Sequence, residues 1–260
     1  EIKIENCDLE SPFSLGLILG ASGSGKTTLA KKIWGNDIFK ERLNPAEPII
    51  NQFPEELSYE DCAKNLAGFG LTSVPCWIRP AYTLSNGQKA RAEAALAAAC
   101  PEEFIVIDEW TSVVDRTVAK VMSYCVSKYA KRLNKKFVLL SCHYDVIEWL
   151  DPDWIIDCNT QKFIDRRLLP QSERKRTEQL KFDIKPIGRE SWKYFSKYHY
   201  LSDRLPGNKL HLFGLFQGKT QIGFQCFANY VAGNQNMLHS NRTVIHPDYA
   251  GFGLGIILID

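Results

Sequence analysis

Gly20-Ala21-Ser22-Gly23-Ser24-Gly25-Lys26-Thr27 is the stretch that decides the fold of this 260-residue chain. It fits G-x-x-x-x-G-K-[ST], a loop that wraps a polyphosphate. Its surroundings agree. The apolar run Leu15-Gly16-Leu17-Ile18-Leu19 before it reads as a buried strand, and Thr28-Leu29-Ala30-Lys31-Lys32-Ile33 after it reads as the first turns of a helix. Glycines let the backbone close around phosphate without Cβ clashes, and successive N–H groups form an anion nest at a helix N-terminus. The expected nucleotide-binding residues are Ser22, Gly23, Ser24, Gly25, Lys26, Thr27 and Thr28. Lys26 is expected at the β- and γ-phosphates and the Thr27 hydroxyl on Mg²⁺.

A second apolar run, Phe104-Ile105-Val106-Ile107, ends in Asp108-Glu109. A strand buried on both faces has this composition, and ligands of parallel α/β sheets bind at the carboxyl ends of the strands. Asp108 is expected to hold Mg²⁺, and Glu109 to polarise the attacking water. Between the two runs lies Leu84-Ser85-Asn86-Gly87-Gln88-Lys89, followed by the alanine-rich stretch 90–100. Ser85 and the Gly87 amide then stand at a helix start that can bind a γ-phosphate.

The segment 84–88 resembles the LSGGQ signature of the ABC ATPase family, with Asn86 in place of the first glycine. Asn tolerates left-handed backbone angles better than most residues, which makes the exchange mild. Three further elements follow the order of that family. Asn51-Gln52-Phe53-Pro54 resembles the Q-loop, with Gln52 as a further Mg²⁺ ligand. Ser112-Val113-Val114-Asp115 resembles the D-loop. Phe137-Val138-Leu139-Leu140-Ser141-Cys142-His143 ends in what resembles the switch histidine. The resemblance spans roughly residues 1–165. It implies ATP and Mg²⁺ as ligands and catalysis by Glu109, His143 and Lys26. It also implies a homodimer in which Ser85, Gly87 and Gln88 serve the nucleotide of the partner. Both the gap from Lys26 to Gln52 and that from Gln52 to Ser85 are shorter than in transporter ATPases, reducing the helical insert to 59–69 plus Val74-Pro75-Cys76-Trp77. Phe13, upstream of the loop, is the candidate for stacking on adenine.

Composition bounds the rest. A net charge of +2 favours no strongly charged partner, and 45% apolar residues describe a globular chain. No run of about 20 apolar residues exists, so the chain itself is not expected to span a membrane. Eight cysteines with no C-x-x-C pair read as reduced thiols of a cytoplasmic protein. After Trp154-Ile155-Ile156 the composition shifts. The charged stretch 166–178 reads as a basic linker between two domains, solvated rather than bound to phosphate backbones.

Beyond it, Phe182-Asp183-Ile184 reads as a strand, 191–198 as an amphipathic helix, and 210–216 with 221–230 as a hairpin. The strand 238–246 leads into Ala250-Gly251-Phe252-Gly253-Leu254-Gly255-Ile256-Ile257. This strand, Gly-rich turn and apolar helix resembles motif A of the GNAT acyltransferase family, with Ala250 where Gln or Arg is usual. The resemblance implies an acyl-CoA, acetyl-CoA first, cradled by backbone amides of Gly251, Phe252, Gly253, Leu254, Gly255 and Ile256. A narrower resemblance, to the Mom-type DNA-modifying branch, rests on His199-Tyr200-Leu201-Ser202 and Arg242. It places His199, Tyr200 and Arg242 on the acceptor side and makes nucleic acid a candidate substrate. A GNAT fold needs strands beyond residue 260, so 179–260 is expected to be the N-terminal part of such a domain.

The expected fold is therefore α/β: a P-loop ABC-type ATPase domain over 1–165, then a partial α+β GNAT-like domain over 179–260. The function expected first is an ATPase coupled to acyl transfer. The alternatives are an ABC transporter ATPase subunit with a regulatory domain, and an ATPase gated by a non-catalytic CoA-binding domain.

Overall fold

The structure, a computed structural model, describes residues 7–36, 42–133, 135–170, 181–199, 203–207, 209–232, 235–250 and 253–259. The chain divides into two compact units, residues 1–178 and 179–260.

The first unit is a mixed α/β fold built on a five-stranded sheet. Its elements are β1 (Leu15–Leu19), α1 (Lys26–Trp34), α2 (Tyr59–Gly68), α3 (Val74–Trp77), α4 (Asn86–Ala99), β2 (Phe104–Ile107), α5 (Arg116–Leu133), β3 (Lys136–Ser141), α6 (Val146–Leu150), β4 (Trp154–Asp157) and β5 (Lys162–Asp165). The strand order is β2-β3-β1-β4-β5, with the first four parallel and β5 antiparallel to β4. β1 is central, and all five of its residues are buried. That explains its continuous apolar run, because a parallel strand covered on both faces has no polar side. Trp154, fully buried, lies across Gly16 and packs edge-on against Phe13 with ring centroids 5.3 Å apart. Phe13 is thus a core residue, and the expectation that it stacks on adenine is overturned.

α5 buries one apolar stripe that includes Val118, Val121, Met122, Cys125 and Val126. Burial pushes the Cys125 thiol up to about 12. All eight cysteines are free. Among the described residues no helix is long and apolar enough to cross a membrane. The basic linker does not begin at residue 166. Arg166 is buried and its guanidinium donates to Asp151 at 2.9 Å. Arg167 is chelated by Asp165 and donates to the carbonyls of Ser11, Pro12 and Asp8. Both arginines are built into the first unit because their carboxylate and carbonyl partners lie there. Residues 171–178 fall outside the described residues.

The second unit contains β6 (Asp183–Pro186), α7 (Trp192–Phe195), β7 (Leu210–Gln217), β8 (Thr220–Ala232), β9 (Gln235–Ile245) and α8 (Leu254–Ile257). The strands form an antiparallel sheet in the order β6-β7-β8-β9. One core cluster joins Trp192, Phe195, Leu212, Phe224, Cys226 and Val244, and a second joins Leu215, Ile222, Leu254 and Leu258. The helix expected over 191–198 is regular α only over 192–195, with tighter 3₁₀ turns on either side. In the register of β8 with β9, Cys226 pairs Arg242 and Phe227 pairs Ser240, which leaves Asn241 as an extra residue, a β-bulge. β7 pairs β8 no further than Ala228, whereas β8 and β9 continue together to Ala232 and Gln235.

Candidate functional site

The phosphate loop lies between β1 and α1, as its sequence requires. Gly23 and Gly25 take left-handed backbone angles, φ 77° and 88°, which glycine adopts without strain. A Cβ on Gly23 would meet nothing within 4 Å, so the loop is open on that side. Lys26 Nζ donates to the carbonyls of Gly20 at 2.8 Å and Ala21 at 2.9 Å. Ser24 Oγ is buried without a hydrogen-bond partner inside this loop. An orphaned hydroxyl and an ammonium in one loop, shaped by left-handed glycines, fit an anionic ligand.

Asp108 stands at the carboxyl end of β2. Its Oδ2 accepts from the Thr27 hydroxyl at 2.7 Å and its Oδ1 from the Glu109 amide at 2.8 Å. A hydroxyl and a carboxylate converging at hydrogen-bond distance are hard oxygen donors of the kind Mg²⁺ takes. The residues at this point therefore fit the ion. Among the described residues no group of three or more His, Cys, Asp or Glu could hold a metal.

Gln52 is not brought to this pair. Its Oε1 accepts from the Asn44 amide at 2.7 Å, and its Nε2 donates to the carbonyls of Asn44 and Glu47 at 2.9 and 3.0 Å. The side chain staples its own loop, its amide held by backbone partners there.

Glu109 and Thr111 occupy the left-handed region, at φ 55° and 67°. Such angles are uncommon for residues other than Gly, Asn and Asp. The turn is held by Trp110, whose amide donates to the Leu140 carbonyl at 2.7 Å and whose indole donates to Ser123 Oγ at 3.0 Å. The carbonyl of Trp110 accepts from Ser141 Oγ at 3.0 Å, and Ser141 Oγ in turn accepts from the His143 amide at 3.1 Å. Glu109 and His143 are thus on two turns joined through one buried hydroxyl. Tyr144 donates to Asp157 at 2.9 Å and accepts from Asn159 Nδ2 at 3.0 Å, and Asn159 Oδ1 accepts from the Ala21 amide at 3.2 Å. Burial, followed by Asp157, raises the Tyr144 phenol. Burial alone would raise Asp157. Hydrogen bonds from Tyr144 and the amides of Asn159 and Thr160 outweigh it, and the carboxyl lies below its ordinary value. Asp145 forms a bidentate pair with Arg116.

Ser85 caps α4 by accepting from the Gln88 amide at 3.3 Å, while Gln88 Oε1 accepts from the Ser85 amide at 3.0 Å. This reciprocal capping box explains the Ser and Gln at that spacing. Gln88 Nε2 also donates to Cys76 Sγ. The Gln88 side chain is therefore engaged within its own chain. Asn86 opens the helix and is absent from the left-handed residues, so its position does not demand glycine.

In the second unit, Gly253 has φ 74° and a hypothetical Cβ there would meet nothing within 4 Å, while Gly255 lies in the first turn of α8. Leu254 is a core residue, and the Ile256 amide donates to the Gly253 carbonyl at 3.1 Å. The Ile256 amide is thus closed into the turn and is not a free donor for a pyrophosphate. Gly251, Phe252 and Tyr200 lie outside the described residues. His199 meets Trp192 edge-on at 5.7 Å. Burial lowers its pKa, and the charge of Arg242 lowers it further. Arg242 sits at the bulge and donates to Asn241. Sequence reasoning missed a chain in which Tyr198 OH lies 3.1 Å from His246 Nε2 and His246 Nδ1 lies 3.5 Å from Asp248. The only signal for it was His-Pro-Asp after a strand.

No family model matches this chain. The energy-coupling factor transporter ATP-binding protein EcfA1 of Leuconostoc mesenteroides is 28% identical over 202 residues, covering 62% of this chain and 72% of that protein. Among solved structures, the dimeric bacterial ABC transporter cassette MJ0796 aligns with a TM-score of 0.46 at 16% identity, covering 59% of this chain and 85% of that one. The ADP conformation of MJ1267, an ATP-binding cassette of an ABC transporter, aligns with a TM-score of 0.42 at 18% identity, covering 58% and 78%.

Proposed function

We propose that the first unit is an ABC-type ATPase that binds and hydrolyses ATP. The observation that carries this reading is the meeting of Lys26, Thr27 and Asp108 at the ends of β1 and β2, with Glu109 and His143 tied together beside them through Ser141. The similarity to EcfA1 supports it. Thr27 and Asp108 would hold Mg²⁺, which when bound offsets phosphate charge. Lys26 carries the positive charge that neutralises the transferring phosphoryl group, Glu109 orients the attacking water, and His143 holds the γ-phosphate side. Ser85, at the start of α4, serves the nucleotide of a second copy in a head-to-tail dimer.

Lys26→Ala tests this. Losing a charge-assisted contact that strengthens in the transition state is worth on the order of 3 kcal/mol, about a hundredfold in hydrolysis rate. ATP turnover falls by that factor while the thermal unfolding midpoint holds. Turnover within a few-fold of the unaltered chain overturns the assignment.

The relation to EcfA1 favours the ATP-binding subunit of a transporter-type ATPase over an ATPase coupled to acyl transfer. Acyl-CoA binding remains a separate reading of the second unit alone. The left-handed, unobstructed Gly253 after β9 supports it, because backbone can approach phosphates there.

A further inference from the structure

The segment Ser141–Asp145 carries more connections than a histidine needs to be presented to a phosphate. Ser141 is fully buried at the end of β3. Its hydroxyl donates to the Trp110 carbonyl, one residue beyond Glu109, and accepts from the His143 amide. Two residues of the same segment reach in other directions. Tyr144 OH is bonded to Asp157 and Asn159, and Asn159 holds the Ala21 amide at the base of the phosphate loop. Asp145 grips Arg116, the first residue of α5, directly after Asp115, whose Oδ1 accepts from the amides of Thr117 and Val118 at 2.9 and 3.1 Å. One short segment therefore touches the phosphate loop, the turn of Glu109 and the turn before α5.

We infer that Ser141, with Tyr144 and Asp145, forms a brace that positions His143 against Glu109. Ser141 is its centre, because a single hydroxyl satisfies both the carbonyl behind Glu109 and the amide of His143. Its removal takes that partner from two backbone groups and leaves, among the described residues, only the Trp110 amide to Leu140 carbonyl bond to hold the Glu109 turn against the end of β3. None of the three residues is assigned a chemical step. They act through His143 and Glu109, so their loss lowers the rate of the bound complex and leaves nucleotide affinity, set by the phosphate loop, nearly unchanged.

The inference rests on the ATPase reading, and the experiment separates the two. Hydrolysis rates and fluorescent ATP-analogue affinities are compared for the unaltered chain, Lys26→Ala, Ser141→Ala, Ser141→Thr and Tyr144→Phe, with thermal unfolding of each. Ser141→Ala is expected to lower kcat about tenfold with nucleotide Kd within twofold. Ser141→Thr, which keeps the hydroxyl, is expected to retain at least half of kcat. Tyr144→Phe is expected to lower kcat three- to fivefold. Hydrolysis that depends on Lys26 but is unchanged in Ser141→Ala overturns the brace alone. So does a loss in Ser141→Ala that tracks the unfolding midpoint and that Ser141→Thr fails to rescue. Absence of Lys26-dependent hydrolysis overturns the ATPase reading, and the brace with it.

Discussion

Glu109 carries a backbone conformation that its side chain does not favour. A left-handed angle on a residue other than Gly, Asn or Asp stores of order 1–3 kcal/mol and persists only where neighbours over-determine it. Here Trp110 and Ser141 do so. Glu109→Gln keeps the shape and the backbone demand while removing the carboxylate. It is expected to cut ATP turnover at least a hundredfold and to accumulate an ATP-bound dimer, read by light scattering with ATP and Mg²⁺. A variant that stays monomeric at high concentration counts against the shared-site dimer. At this scale the sequence was legible where a residue type is tied to a local pattern, as for Lys26, Thr27 and Asp108. It was not legible where the partner is distant in the chain. Gln52 looked like a ligand by its place in the order of motifs, yet four backbone groups within eight residues claim its amide. Ser141 and Asn159 carry no motif at all, and their roles appear only when β1, β3 and β4 lie side by side.

At the scale of elements, unbroken apolar runs marked β1, β2 and β3 because parallel strands in a covered sheet have no solvent face. β5 has four residues that alternate in exposure, too few for periodicity to single out. The closeness of β1 to β4 was likewise hidden, and Gly16 is its hinge point. A Cβ on Gly16 would fall 2.1 Å from the Trp154 ring, so the strand and the indole meet only because that side chain is missing. Gly16→Ala must displace the ring within its contacts with Phe13 and Trp34, its aromatic neighbours. Overpacking of this kind costs about 1–3 kcal/mol, and the rigidity of the neighbours puts this case at the upper end. Urea unfolding of the variant is expected to show that loss. An unchanged midpoint would mean that Trp154 does not lie where the packing of β1 and β4 puts it.

For the molecule as a whole, each of the two units has its own core. The break in composition after β4 announced a boundary, but basic residues alone could not tell a linker from Arg166 and Arg167, whose carboxylate partners lie in the first unit. Gly253→Asp adds bulk and negative charge at a left-handed position. If the second unit binds acetyl-CoA, the variant weakens that binding at least tenfold by calorimetry, about 1.4 kcal/mol, and leaves ATP turnover unaltered. Equal affinity in both proteins, or none in the unaltered one, removes the acyl-CoA reading and leaves the ATPase standing. The far end of the β8–β9 hairpin has a different kind of independence. Past Ala228 it is a ribbon of two strands with no third beside it among the described residues. A ribbon so narrow has little cooperativity to draw on. Its rungs can open and reclose while the four-stranded body behind them keeps its register.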